Sequence, residues 1–153
     1  MLGTGAVVLA ADQVSKALVL RHPVAGAGLV SVRLLRNTGA SGGIAAGYPI
    51  LVTLAALAIA AVAGTLALRA RSRAVAICLA AVLGGALGNL SDRIFRSPGL
   101  GRGAVVDWIH VTGRGGSFNV SDLAIQLGAI GAVVAMLAAD RARVRRPDES
   151  WSE

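Results

Sequence analysis

Four long apolar segments constrain this chain more than any other feature. They cover about residues 2–20, 49–68, 74–94 and 119–139, and each is close to the roughly 20 residues that a helix needs to cross a bilayer. Apolar residues make up 55% of the 153-residue chain, and the mean hydropathy is +0.69. Because backbone amides find no water inside a bilayer, such segments must be helical. The sequence therefore predicts a mainly α, polytopic membrane protein with four transmembrane helices.

The remaining residues form two long loops, one short loop and a polar tail at 140–153. Residues 30–35 and 105–111 are short β-like runs, one in each long loop, so we expect a small sheet outside the membrane. The glycine-rich stretch at 113–116 predicts a turn that folds the chain back after the second run. We interpret residues 1–153 as a single domain.

The arginines indicate the orientation of the helices. Three lie in the short loop at 69–73 and four in the segment 141–146, directly beside helix ends. Positively charged residues at such positions favour the cytoplasmic side. We therefore predict cytoplasmic termini and two outward loops. The formal charge of +7 is distributed between apolar segments rather than gathered on a soluble domain, which argues against a nucleic-acid partner.

Only four carboxylates fall in the apolar body of the chain: Asp12, Asp92, Asp107 and Asp122. Asp12 and Lys16 are four residues apart and share a helical face. They form either an intramembrane ion pair that orients the helix or part of a substrate pathway. Asp92 and the adjacent Arg93 are compatible with interfacial anchoring or with a binding role.

Asp107 and Asp122 carry the chemical interest. A carboxylate among valine, tryptophan and isoleucine, as at Asp107, gains nothing structural unless it is paired. Asp122 has a structural explanation, because Asn119 is a candidate helix N-cap and Asp122 follows it by three residues, as in a capping box. Two carboxylates brought together at a dry boundary cannot both ionise cheaply, so one keeps its proton. That is the arrangement of an aspartic protease.

Five blocks of sequence are similar to the bacterial lipoprotein signal peptidases (signal peptidase II). In chain order they are Asp12-Gln13-Val14-Ser15-Lys16, Asn37-Thr38-Gly39-Ala40-Ser41, Gly84-Gly85-Ala86-Leu87-Gly88-Asn89-Leu90-Ser91-Asp92-Arg93, Val105-Val106-Asp107-Trp108-Ile109 and Phe118-Asn119-Val120-Ser121-Asp122. Each block alone is a weak signal. Five blocks in the same order, in a chain with four expected membrane spans, are a specific signal of the family.

The resemblance implies a four-helix aspartyl protease of the bacterial cytoplasmic membrane, with an outward β-sheet cradle and an active site at the outer face. It implies cleavage of prolipoproteins before a diacylglyceryl-modified cysteine, contact with membrane lipid, inhibition by globomycin-type peptides, and no cofactor or metal. The catalytic pair of the family falls on Asp107 and Asp122. Its substrate-contacting and site-shaping positions fall on Asp12, Lys16, Asn37, Asn89, Arg93 and Asn119. We expect a monomer.

Three positions depart from the family pattern. The family often has phenylalanine where this chain has Gly42-Gly43-Ile44, it usually has phenylalanine at the position of Trp108, and it often has alanine at the position of Ser121. None of these differences removes a carboxylate. The glycines affect how the first loop packs on the side that faces lipid.

Rival functions come from other classes. An ion or proton carrier would use Asp12, Lys16 and Asp122 as a relay, but a relay should cross the bilayer, and only Asp12 lies in the inward half. A lipid-binding protein with Arg93 on a phosphate leaves the two outward carboxylates unexplained.

Two further catalytic interpretations are weaker. A metal site of His110, Asp107 and Asp122 is possible by ligand type. A serine or cysteine protease would have to use His22 or His110 as its base, and Cys78 lies in the middle of an apolar helix.

Overall fold

The computed structural model describes residues 2–22, 26, 28–40, 44–113 and 115–144. Three features of the sequence lie outside the described residues. They are the end of the second sequence block at Ser41, the departure at Gly42 and Gly43, and the tail from Arg145 onward.

Four helices form the body of the protein. They are α1 (Leu2–Arg21), α2 (Pro49–Arg69), α3 (Arg73–Phe95) and α4 (Val120–Val144). All four are long and apolar enough to cross a membrane, which confirms the predicted polytopic α fold. The first three begin and end within one residue of the predicted spans. Helix α4 begins one residue later than predicted and continues five residues further, because its alanines and arginines are strong helix formers.

Helix α3 is the centre of the bundle. It packs against α1, α2 and α4, and about half of its span is buried, whereas the other three helices are mostly exposed on their outer faces. Glycines allow these close contacts. A methyl group added at Gly84 would overlap the backbone of Gly5 in α1, and one added at Gly85 would meet the carbonyl oxygen of Ser121 in α4. Small residues at helix interfaces drive such packing in membranes.

A three-stranded antiparallel sheet covers one end of the bundle. Its strands, in spatial order, are β1 (Val30–Asn37), β2 (Val105–Val111) and β3 (Ser117–Phe118). The bounds of β2 match the predicted run, and β1 extends two residues beyond its prediction, to Asn37. The two-residue β3 was not predicted, because so short a strand has no periodicity to detect.

The turn between β2 and β3 determines where α4 begins. Gly113 and Gly116 have φ angles of 83° and 87°, in the left-handed region that glycine adopts without strain. The chain reverses there, and Phe118 pairs with Ile109 of β2. The first turn of α4 is therefore placed beside β2. We call this region, where α3 ends and α4 begins, the sheet end of the bundle.

Candidate active site

Asp107 lies on β2 with its side chain turned into the protein, where it is only 1% exposed. Both of its carboxylate oxygens accept hydrogen bonds from asparagine amides. Asn37 Nδ2 donates to Asp107 Oδ2 at 3.1 Å, and Asn119 Nδ2 donates to Asp107 Oδ1 at 2.6 Å. The backbone N–H of Gly39 donates to Asn37 Oδ1 at 2.9 Å, which keeps the amide nitrogen of Asn37 towards Asp107.

Asp122 lies in the first turn of α4 and forms hydrogen bonds with Asn119, the residue before the helix. The backbone N–H of Asp122 donates to Asn119 Oδ1 at 2.9 Å, and the backbone N–H of Asn119 donates to Asp122 Oδ2 at 3.2 Å. This is the reciprocal capping box that the spacing predicts. The other oxygen, Oδ1, accepts a hydrogen bond from Asn89 Nδ2 at 2.9 Å. The cap therefore occupies one carboxylate oxygen, and a structural role does not exclude a chemical one.

Asn119 joins the two carboxylates. Its side-chain nitrogen donates to Asp107 and also to Asn89 Oδ1, the latter at 3.1 Å, while its backbone nitrogen donates to Asp122. Asn119 is fully buried. The structure thus brings Asn89, Asp107 and Asp122 together around one asparagine, and Asn37 joins them through Asp107.

The surroundings of Asp107 shift its acidity. Burial raises the pKa of Asp107 to about 6, and the nearby charge of Asp122 acts in the same direction. Hydrogen bonds from Asn37 and Asn119 lower this pKa and so oppose part of the effect. Desolvation and a like charge are the two influences that favour a neutral carboxyl group.

Arg93 holds the loop that follows β1. It is 4% exposed, and its guanidinium donates to the carbonyl oxygens of Thr38, at 3.3 Å, and Gly39. These contacts fix the backbone beside Asn37. Arg93 is thus a buried clamp on the loop, in contrast to the interfacial anchor that was one interpretation of the sequence.

A second group of charges lies next to the aspartate pair and is completely buried. Lys16 Nζ is 2.7 Å from Asp12 Oδ2 and 2.9 Å from Asp92 Oδ2, and all three side chains are 0% exposed. The ion pair predicted within α1 is confirmed, with Asp92 as an additional partner. Lys16 also donates to Asn89 Oδ1 at 3.1 Å, which connects this ion cluster to the amide that holds Asp122.

Two members of the ion cluster were not recognised in the sequence. Arg96 Nε is 2.6 Å from Asp92 Oδ1, and Gln13 donates to Asp12 and Asp92 at 3.1 and 3.3 Å. The spacing of four residues between Asp92 and Arg96 is a usable signal for such a pair. Gln13 gave no signal, because its partner helix is not evident from the sequence.

The two described departures from the family pattern each bury a polar atom. The hydroxyl oxygen of Ser121 and the ring nitrogen of Trp108 have no hydrogen-bond partner among the residues that the structure describes. The backbone N–H of Ser121, in contrast, donates to Asp12 Oδ1 at 3.0 Å and ties α4 to the ion cluster.

A cleft of about 280 Å³ opens between α2, α3 and α4 at this site. Four polar side chains line it, and the rest of its wall is apolar: Asn89, Arg93, Asp122 and Gln126 are joined by residues such as Val52, Ala56 and Ile59. A separate groove between α1, α2 and α3 has no polar side chain in its lining. The cleft beside Asp122 is therefore the place where a bound molecule would meet reactive groups.

His110 takes no part in this site. Its ring nitrogen Nδ1 lies 2.9 Å from the carbonyl oxygen of Gly116 in the turn between β2 and β3. Over the part of the chain that the structure describes, no three His, Cys, Asp or Glu side chains form a group suited to a metal ion.

Four membrane-spanning helices, a small sheet at one end, and two carboxylates between asparagine amides define a polytopic membrane protein with a buried polar site. Residues 4–138 match the family described as "Signal peptidase (SPase) II". The chain is 42% identical over 137 residues to the lipoprotein signal peptidase of Rhodococcus jostii, covering 86% of this chain and 69% of that protein. It is 41% identical over 140 residues to that of Mycobacterium avium, with 88% and 76% covered. The chain belongs to the signal peptidase II family.

One match is shorter than these two. The match to the lipoprotein signal peptidase of Streptomyces coelicolor is 46% identical over 96 residues and covers 63% of this chain but only 47% of that protein.

Two solved structures share the fold, both described as bacterial membrane enzymes obtained by the in meso method. One, at 2.3 Å resolution, superposes with a TM-score of 0.78 at 21% identity and covers 98% of this chain and 92% of its own. The other, at 1.9 Å, gives 0.71 at 23% identity, with 88% and 90% covered.

Proposed function

We propose that this protein is an aspartic endopeptidase that removes signal peptides from prolipoproteins by cutting before a diacylglyceryl-modified cysteine. Membership of the signal peptidase II family supports signal-peptide removal from prolipoproteins. The observation that carries the aspartic mechanism is the placement of Asp107 and Asp122 on either side of Asn119, with Asp122 open to the cleft.

The proposed mechanism uses the two carboxyl groups as one unit. One proton is shared by the pair, which titrates as a whole. The ionised carboxylate removes a proton from a water molecule as that water attacks the scissile carbonyl carbon, and the neutral carboxyl group donates its proton to the carbonyl oxygen. When the C–N bond breaks, a proton passes to the leaving amine. The products are the signal peptide, with a new carboxyl end, and the lipid-modified cysteine, with a free amine.

The remaining site residues have supporting roles in this proposal. Asn37 and Asn119 orient Asp107, and Asn89 and Asn119 orient Asp122. Such orientation keeps the reacting groups in place, which contributes much of the rate of an enzyme.

Arg93 and the ion cluster hold the residues around the site in place. Arg93 shapes the rim of the cleft through the loop after β1. Asp12 and Lys16 act through Asn89, because both are fully buried and Lys16 contacts that amide. We therefore propose that they shape the site rather than touch the peptide.

The proton-carrier alternative has less support. The buried polar side chains of the described residues belong to the ion cluster, the aspartate pair and their neighbours at the sheet end of the bundle. A relay needs titratable groups along the whole path through the membrane. Asp12, which we expected in the inward half, instead lies in the ion cluster at the sheet end. The arrangement therefore resembles a one-sided site.

We infer that the protein lies in the bacterial cytoplasmic membrane with cytoplasmic termini and the site at the outer face. Single cysteines at Gly26 and Ser97, introduced after Cys78 is replaced by alanine, should react with a membrane-impermeant reagent added from outside. A cysteine at Ser72, in the arginine-rich loop, should not. Labelling of position 72 from outside would reverse the proposed orientation.

The decisive experiment is cleavage by the purified protein. A lipidated prolipoprotein should be cut by the wild type and not by the Asp107→Asn variant. The same precursor without its lipid should be cut poorly, and a globomycin-type cyclic peptide should block cleavage. Activity should persist in preparations that are monomeric, because one chain supplies both aspartates. Equal cleavage by wild type and Asp107→Asn would refute the proposal.

A further inference from the structure

Gln126 is a polar side chain without an assigned role. Between Asp122 and Asp140 it is the only polar residue in the sequence of α4. It is exposed, and it lines the cleft together with Asn89, Arg93 and Asp122.

At the position of Gln126, a side-chain amide without a hydrogen-bond partner costs free energy. It lies six residues into α4, which places it roughly 9 Å along the helix from its start. At that depth in a spanning helix, water is scarce, and an amide without a partner costs free energy. Within the described part of the chain, the Gln126 side chain forms no hydrogen bond. The described part of the chain therefore leaves this amide available to a molecule bound in the cleft.

The distance from Asp122 indicates which part of a bound peptide Gln126 would meet. The two residues are one helical turn apart on the same face, or about 6 Å along the axis. An extended peptide advances about 3.3 Å per residue. Gln126 therefore lies about two residues away from a carbonyl group that reacts at Asp122.

We propose that Gln126 binds the peptide backbone of the substrate about two residues before the cleavage site, on the signal-peptide side. The inference rests on the function proposed above, in which α4 runs inward from the outer face and the signal peptide enters the membrane beside it. A glutamine amide offers one acceptor and two donors, which matches the N–H and C=O groups of a peptide backbone. The ester groups of a diacylglyceryl chain only accept hydrogen bonds, so the backbone is the better partner.

The first test compares Gln126→Met, which keeps the length of the side chain and removes the amide, with Leu127→Met. Leu127 is an exposed residue on the same helix that does not line the cleft. Gln126→Met should raise KM for a lipidated precursor about tenfold, in line with one lost hydrogen bond, with kcat nearly unchanged. Both variants should keep the thermal stability of the wild type. The same loss should appear as weaker precursor binding when Gln126→Met is placed in the inactive Asp107→Asn protein.

The second test locates the contact. Each peptide bond in the three residues before the cleavage site is replaced in turn by an ester, which removes one N–H donor. One replacement, near the second residue, should weaken binding to the wild type and have no further effect on Gln126→Met, because the two changes remove the same interaction.

Several outcomes would overturn the inference. They are a Gln126→Met variant that binds the precursor as tightly as Leu127→Met, or ester effects that are equal in wild type and variant. A third is a Gln126 effect that disappears when the diacylglyceryl esters are exchanged for ethers, since the partner would then be the lipid. In all three cases the wild type still cleaves the precursor in an Asp107-dependent way, and the proposed function stands. No cleavage by the wild type would overturn both.

Discussion

The sheet end of the bundle holds two pairs of carboxylates. The hydrogen-bond partners of one pair include cations, and those of the other pair are neutral amides. In the ion cluster, Asp12 and Asp92 share the ammonium group of Lys16, and Asp92 has Arg96 as a second cationic partner. In the aspartate pair, Asp107 and Asp122 are held by neutral asparagine amides. Both pairs are substantially buried, and they are joined through Asn89.

The difference shows how one protein uses the same side chain for structure and for chemistry. A carboxylate with cations at hydrogen-bond distance is stabilised in its charged form. A carboxylate that receives only amide hydrogen bonds, beside a second carboxylate, can still take up a proton. The ion cluster therefore suits a permanent tie between α1 and α3, and the aspartate pair suits proton transfer.

The largest effect that we expect from the difference between the two pairs is on turnover. Asp107→Asn or Asp122→Asn should each lower turnover by several powers of ten, and the double variant should be no worse than the poorer single one, because the two groups act as a unit. Turnover of a lipidated precursor, measured with each variant confirmed as folded, checks this. Additive losses in the double variant would mean that the carboxylates work independently.

The second prediction concerns the stability of the ion cluster. Lys16→Met leaves two buried carboxylates with one cation fewer, and removal of one partner from a buried ion pair costs about 3–5 kcal/mol. Thermal unfolding in detergent should show a large loss of stability. Combining Lys16→Met with Asp12→Asn should restore part of it, because one of the unpaired charges is removed. A Lys16→Met protein as stable as wild type would show that the cluster is not a structural tie.

A substitution of Arg93 should have a smaller effect on cleavage. It distinguishes the role of the planar guanidinium shape from the role of the positive charge. Arg93→Lys keeps the charge but loses the planar fork that reaches the carbonyls of Thr38 and Gly39. We expect cleavage to fall by roughly tenfold to a hundredfold, with insertion and topology unchanged. It should also weaken binding of a globomycin-type inhibitor. Arg102→Lys, at an exposed arginine, serves as the matched control. Wild-type values for Arg93→Lys in both assays would reduce Arg93 to a simple positive charge.

The smallest effect is the pH dependence of stability that arises from Asp107. Its pKa in the folded protein, about 6, is above the value of 3.8 expected in an unfolded chain, so the folded state favours the neutral form. This contribution to stability is fully present below pH 3.8 and is lost as the pH rises through about 6. Unfolding of the wild type should become easier across that window, and Asp107→Asn should flatten the profile relative to the exposed control Asp140→Asn. Unchanged profiles for both variants would contradict the assignment.

Much of the fold is predictable because it depends on local signals. Apolar length gives the four helices, and a short run rich in valine, isoleucine and tryptophan gives β2 with its observed bounds. The Asn119–Asp122 spacing gives the capping box, and the Asp12–Lys16 spacing gives the ion pair. The matching of the five blocks to one family also depends on the order of residues alone.

The sequence by itself determined the spans, the cap and the identity of the acids, whereas the tertiary structure decided which acid meets which partner. Helical periodicity assigns a residue to a face of its own helix, but it does not say which helix packs on that face. Asp12 meets the backbone of Ser121, which is 109 residues away, and Lys16 meets Asp92 and Asn89 rather than the cleft. Those contacts depend on the close approach of α1 and α4 to the glycines of α3. This packing gives one carboxylate pair cations at hydrogen-bond distance and gives the other pair only amides at that distance. It is therefore the tertiary structure that distinguishes the structural acids from the chemical ones.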